Sequence, residues 1–175
     1  MKSQSPSSLG QRIFLASYVF VLIAAPFLGS FLATAAVRAP TGFGLVLGRS
    51  ECRSCRHLLS FIDLVPIVSW IVLGGRCRHC RATIGIYYPA AEIAALALTG
   101  IVLSVLSGFE VVIACALGWT LLLLALIDLR HQVLPDNLTL PLALLGLAVA
   151  WFEGDDQLLG RAVGCVTGFL LFYFI

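Results

Sequence analysis

From Ile13 to Val37 the chain runs 25 residues without a charge, between Arg12 and Arg38. About 20 consecutive apolar residues carry an α-helix across a bilayer. Inside a bilayer the backbone must satisfy its own hydrogen bonds, which leaves helices or closed barrels. Pro26 and Gly29 fall within the run and are tolerated where neighbouring helices re-satisfy the freed groups. The run is too long for the apolar core of a cleaved signal, and no small-residue cleavage site with a mature domain follows, so it is read as a retained first span. Composition agrees, with 60% of the 175 residues hydrophobic, 11% charged and a mean hydropathy of +1.02. A soluble domain of this length could not cover that much apolar surface.

Further spans are expected over 90–106, beginning just after Pro89 in the first turn of its helix, over 111–127, ending at Asp128, and over 138–152. A fifth apolar run starts at Ala162 and is still running at Ile175. Gly160, Gly164 and Gly168 recur every four residues, a spacing that lets membrane helices approach closely. Leu64 to Leu73 is apolar but too short to span and contains Pro66, so it is read as an interfacial or partly buried turn of helix. Net charge is only +2, yet seven of the eleven basic residues fall between Arg38 and Arg81. Basic short loops stay in the cytosol, which puts that insert inside, Gly108–Glu110 outside, Asp128–Asn137 inside and the acidic 153–157 loop outside. The N-terminus then faces out. The fold class is all-α, a polytopic transmembrane helical bundle with a cytosolic zinc-knuckle loop. Its parts are a first span at 13–37, a tetracysteine region at 38–89 and a further membrane domain from 90 to 175.

The insert holds Cys52-Arg53-Ser54-Cys55 and Cys77-Arg78-His79-Cys80, two CxxC pairs 21 residues apart. Two thiolate knuckles so spaced can close a tetrahedral zinc site. Sulfur ligands suit zinc, and the surrounding arginines favour thiolates. A redox dithiol is the competing reading, although a reducing cytosol and two knuckles framing one loop weigh for metal. Four sulfur ligands leave no open position, so the site is expected to be structural. His57 and His79 are read as loop residues, and Cys115 and Cys165 as small apolar ones. Asp128 is the second signal: membrane-edge acids are costly and often functional, while a solvated helix end beside Arg130 explains it equally well. Asp136 reads as a cap or turn residue before the fourth helix, and Glu92 as a first-turn acid favoured by the helix dipole.

Several separate pieces then match one family. They are Gly29-Ser30-Phe31-Leu32, Arg49 through Cys55, Val65-Pro66-Ile67-Val68-Ser69-Trp70, Gly75 through Cys80, Tyr88-Pro89-Ala90-Ala91-Glu92, and Ile127-Asp128-Leu129-Arg130 through Leu134-Pro135-Asp136 to Pro141. With them the chain resembles the type IV prepilin leader peptidases of pilus and type II secretion systems. The resemblance implies an aspartic peptidase of the bacterial cytoplasmic (inner) membrane that removes the basic leader from type IV prepilins or pseudopilins. It also implies methylation of the new N-terminus with S-adenosylmethionine, lipid as the surrounding partner and no nucleic acid. By motif match Asp128 would be the first of two catalytic aspartates. The family's second lies in a Gly-x-Gly-Asp-x-Lys motif after the helix that begins near Ala162, and residues 90–175 end before it. Leu32-Ala33-Thr34 also departs from the family, which has asparagine after the leucine. Two other classes stay open: a catalytically inactive relic or metal-braced scaffold for pilin-like helices, and a membrane thiol oxidoreductase.

Overall fold

The computed structural model describes residues 8–39, 50–152 and, within the last stretch, 160, 163, 164, 166, 167 and 170. Its helices are α1 (Ser8–Arg38), α2 (Val68–Val72), α3 (Tyr87–Val105), α4 (Phe109–His131) and α5 (Asp136–Phe152), with a 3-10 turn at Phe61–Leu64. Among the described residues there is no strand. β pairing among them is limited to two isolated antiparallel bridges, Glu51–Leu58 and Arg76–Thr83. Among the described residues three helices are long and apolar enough to cross a membrane: Ala16–Arg38 of α1, α3 and α4, each with at most a third of its apolar stretch buried within the chain. Their outward residues are large and apolar, Phe20, Phe27, Ile101 and Leu121 among them. That is the pattern of a helix whose solvent is hydrocarbon. The chain divides into two compact units, 1–132 and 133–175.

In the first unit α1, α3 and α4 pack together through small residues, as membrane helices do when no hydrophobic drive favours one apolar neighbour over another. Ala25, Ala33, Ala36, Ala91 and Ala95 are all buried. At the crossing of α1 and α3, a Cβ added to Gly29 would lie 2.7 Å from both the Ala91 carbonyl oxygen and the Glu92 Cα. Only glycine permits that approach. Between α3 and α4 the Trp119 indole N–H donates to the Thr99 hydroxyl at 3.2 Å, and that hydroxyl donates to the Ala95 carbonyl at 2.8 Å. The Tyr87 hydroxyl donates to the Leu126 carbonyl at 3.2 Å.

Two contacts fix the ends. The Gly108 N–H, in the turn joining α3 to α4, donates to the Tyr18 hydroxyl of α1 at 3.3 Å. At the other end the His131 Nε2 lies 3.0 Å from the Ala36 carbonyl. So α1 runs alongside α4 in the same direction and antiparallel to α3. The C-terminal ends of α1 and α4 share one end of the unit with the start of α3.

Several boundaries differ from the sequence reading. α3 begins at Tyr87 rather than 90, with Pro89 still in its first turn, where its missing N–H costs nothing. That shifts Glu92 to the second turn, so the dipole account of this residue fails. α4 continues through His131, and Asp128, Arg130 and His131 are helical instead of forming a loop. Arg130 and His131 complement the dipole there. Gln132 ends the helix in the left-handed conformation, its N–H donating to the Asp128 carbonyl at 2.8 Å. Asp136 is the first residue of α5, not a residue preceding it.

In the second unit α5 has 17 residues, at the short end for crossing a bilayer. No described residue approaches the Cβ position of Gly160 or Gly164 within 4 Å. Gly168, Cys165, the 153–157 loop and most of the run from Ala162 lie outside the described residues, as does Arg49.

Candidate metal centre and membrane-edge carboxylate

The two CxxC segments fold alike. In the first, the Cys52 N–H donates to the His57 carbonyl at 2.9 Å and the Arg56 N–H to the Cys52 carbonyl at 2.8 Å. In the second, the Cys77 N–H donates to the Ala82 carbonyl at 2.8 Å and the Arg81 N–H to the Cys77 carbonyl at 3.1 Å. Arg56 and Arg81, each directly after the second cysteine, hold φ at 55° and 58°. Each segment is thus a tight knuckle closed by its own β-bridge, with backbone N–H groups turned toward the sulfurs.

The knuckles face each other. The Sγ atoms of Cys52, Cys55, Cys77 and Cys80 all lie within 4.8 Å of one another, and Cys52 and Cys80 are 3.7 Å apart. Four sulfurs at Zn–S bonds of about 2.3 Å in a tetrahedron stand about 3.8 Å apart, so the donor set and its spacing can hold a metal ion. The cluster is electrostatically primed for one. N–H groups of Cys55 and then Ser54, helped by the Cys77 and Cys55 thiols, lower the Cys52 thiol to about 6 against the effect of desolvation. At Cys80 the Ala82 N–H pulls downward, but desolvation and the thiols of Cys55, Cys52 and Cys77 outweigh it, pushing that group to about 11. One thiolate forms readily and makes its neighbours harder to ionise, a conflict that a bound dication removes. The His57 and His79 rings lie against each other, tilted by 37° with centroids 3.6 Å apart, and neither belongs to the four-sulfur cluster.

Three side chains to which the sequence reading gave no part in this loop hold it in place. Asp63, in the 3-10 turn, accepts from the Ser60 hydroxyl at 2.7 Å and from Arg78 Nε at 2.9 Å, and Arg78 lies between Cys77 and Cys80. The Ser60 hydroxyl first, and Arg78 with it, hold the Asp63 carboxyl below its ordinary value despite desolvation. Trp70, on α2, donates its indole N–H to the Ile84 carbonyl at 3.0 Å and lies against Gly75. A Cβ on Gly75 would come within 3.0 Å of that ring, and its φ of 66° also favours glycine. The third is Glu92. It is buried, and its Oε2 accepts the Ile67 N–H at 2.7 Å. Ile67 is the centre of a left-handed γ-turn (φ 61°, ψ −52°) in which the Val68 N–H returns to the Pro66 carbonyl. This is a rare and strained conformation for a β-branched residue. It frees the Ile67 N–H to reach the carboxylate of α3. Local sequence carries no sign of that pairing, since the partners stand 25 residues apart.

Asp128 is exposed on the last turn of α4, at the end of the unit from which the tetracysteine loop projects. Arg130, two residues on, places its guanidinium 5.1 Å from the centre of the Tyr87 ring rather than on Asp128. Among the described residues of the first unit, no second carboxylate is hydrogen-bonded to Asp128.

Comparison with known proteins places these pieces together. Residues 23–106 match the model of the bacterial Peptidase A24 N-terminal domain, and residues 115–175 that of the type IV leader peptidase family. The protein named prepilin leader peptidase/N-methyltransferase from Myxococcus xanthus (strain DK1622) is 36% identical over 159 residues, covering 88% of this chain and 46% of that protein. Proteins of the same name from Aeromonas hydrophila (35%, covering 75% of this chain and 46% of that protein) and Burkholderia pseudomallei (strain K96243; 37%, 78% and 44%) are similar. The chain spans about half the length of the curated relatives it matches. No solved structure matches it.

Proposed function

Because the chain belongs to the type IV leader peptidase family, we propose that it is the leading part of a membrane aspartic endopeptidase that removes the basic leader from type IV prepilins or type II secretion pseudopilins. In this reading it carries the first span (13–37), the tetracysteine domain (38–89) and the start of the peptidase membrane domain (from 90). It resides in the bacterial cytoplasmic membrane with the tetracysteine loop on the cytosolic side. The observation that supports this best is spatial. One end of the helical unit carries both an exposed carboxylate, Asp128, and the base of a four-thiol metal loop.

Aspartic peptidase chemistry needs two carboxylates sharing a proton, so that one draws a proton from water while the other donates to the leaving group. Asp128 is the first of these. Its exposure leaves it open to an opposing carboxylate and to an extended substrate backbone. The second carboxylate is expected in the Gly-x-Gly-Asp-x-Lys motif of the family, which residues 1–175 do not contain. Cys52, Cys55, Cys77 and Cys80 hold structural Zn²⁺, which ties the two knuckles together and takes no part in the cut, because four sulfurs fill its coordination sphere. Methylation of the new N-terminus with S-adenosylmethionine belongs to the same proposal through the relatives' names.

The test is leader cleavage by the full-length gene product in membranes. Asp128→Asn lowers cleavage by a factor on the order of 10²–10⁴, whereas Asp136→Asn leaves it near the parent rate. Unchanged cleavage in Asp128→Asn removes this residue from the mechanism.

A further inference from the structure

Between the two knuckles the chain forms an apolar arm, and its outer surface has no partner among the described residues. Phe61 is 89% exposed, Ile62 71% and Val72 75%, and Val68 and Ile71 are exposed beside them. Val68, Ile71 and Val72 are spaced i, i+3, i+4 and so share one face of α2. The arm is nonetheless built, not loose. Pro66 is buried beneath it, Trp70 is tied to Ile84, and the strained Ile67 turn is tied to Glu92. From Phe61 to Leu73 the arm carries one ionisable residue, Asp63. That side chain is only 5% exposed, because it turns inward onto Ser60 and Arg78. The backbone donors are similarly internal. Asp63 donates to Ser60, Val65 to Ile62, Ser69 to Val65, Ile71 to Ile67 and Leu73 to Ser69, and Pro66 has no donor.

A segment with its charge paired, most of its amides bonded within the chain and its large apolar side chains outward suits immersion at the lipid interface. Its attachment fixes where it would immerse. Glu92 lies in the second turn of α3, a helix able to span the bilayer, and Ile86, just before that helix, is also exposed. The Glu92–Ile67 tie therefore sets the arm beside the end of the helices where α3 begins, with exposed Ile86 at the junction. Arg56, Arg76 and Arg81, all exposed, flank the arm on the knuckles, and their charge suits anionic headgroups.

We propose that the arm Phe61–Leu73 lies in the lipid interface as a monotopic insertion, with Phe61, Ile62, Val68, Ile71 and Val72 below the headgroups, and so holds the metal knuckles against the bilayer. The metal loop is then anchored at three points: the spans, the Glu92–Ile67 bond and the lipid itself.

The experiment places the photoreactive residue p-benzoylphenylalanine singly at positions 61, 71, 101 and 53 of the full-length protein. The protein is reconstituted in vesicles of phosphatidylethanolamine and phosphatidylglycerol, and adducts are read by mass spectrometry. Bound metal is measured on each sample to show that the loop is folded. Position 101 faces lipid in a spanning helix and position 53 faces water. The proposal expects lipid adducts at 61 and 71 within about threefold of those at 101 and roughly tenfold or more above those at 53. Adducts at 101 with none at 61 and 71 overturn it while leaving the spans intact. Cross-links from 61 and 71 to a second protein chain also overturn it, making the arm a protein interface. Absence of lipid adducts at 101 refutes the spanning reading, and the proposal falls with it.

Discussion

Gly29 shows how one missing side chain sets the geometry of a membrane core. With backbone atoms of α3 at 2.7 Å from its Cβ position, no rotamer change relieves a substitution, and the helices themselves must separate. Gly29→Ala is expected to cost about 1–3 kcal/mol, measured as a lowered unfolding midpoint in detergent. Gly100, where nothing lies within 4 Å, is expected to tolerate alanine. Asp63 is a subtler case. Its carboxyl is held below its ordinary value in the folded loop, so its contribution is fully present above the unfolded pKa of about 3.9 and disappears as pH falls through the lower folded value. Asp63→Asn should therefore weaken the loop at pH 7, by about 1 kcal/mol because Arg78 is half exposed. The gap between variant and parent should close in acid. Limited proteolysis of the loop across pH reads this directly. A gap that persists unchanged at the acid end would argue for a purely steric role.

At the scale of elements, the knuckles were legible from the sequence because metal-ligand spacing is a local property. Each CxxC turn fixes its own pair of sulfurs, and the structure only had to bring two such turns together. Chelation or Cys77→Ser is expected to remove a single bound metal per chain and to open residues 50–86 to protease, with the helical circular dichroism kept, since α1, α3 and α4 pack without the loop. The end of α4 was not legible. Asp128-Leu129-Arg130-His131 is polar enough to read as a loop. The helix continues because basic residues suit its last turn and Gln132 accepts a left-handed cap, features that hydropathy does not register. Glu92 was misread for a related reason. Its meaning depends on the γ-turn at Ile67, 25 residues away, which lies between the buried Pro66 and the docked Trp70.

At the scale of the molecule, charge distribution and helix count predict an orientation, and the packed unit adds which helix ends share a face of the membrane. The α3–α4 turn meets the start of α1, while the ends of α1 and α4 meet each other. In spheroplasts, an impermeant maleimide should label Ser107→Cys at once and Asp128→Cys only after permeabilisation. Labelling of the second from outside would invert the orientation and separate the carboxylate from a cytosolic cut. The paired knuckles carry one more implication. Each closes its own backbone hydrogen bonds within ten residues, 50–59 and 75–84, so each pair of sulfurs is set locally, while Asp63 and Trp70 of the stretch between them clamp the second knuckle through Arg78 and Ile84. A transplanted cage keeps its shape only if those two props, or substitutes for them, travel with it.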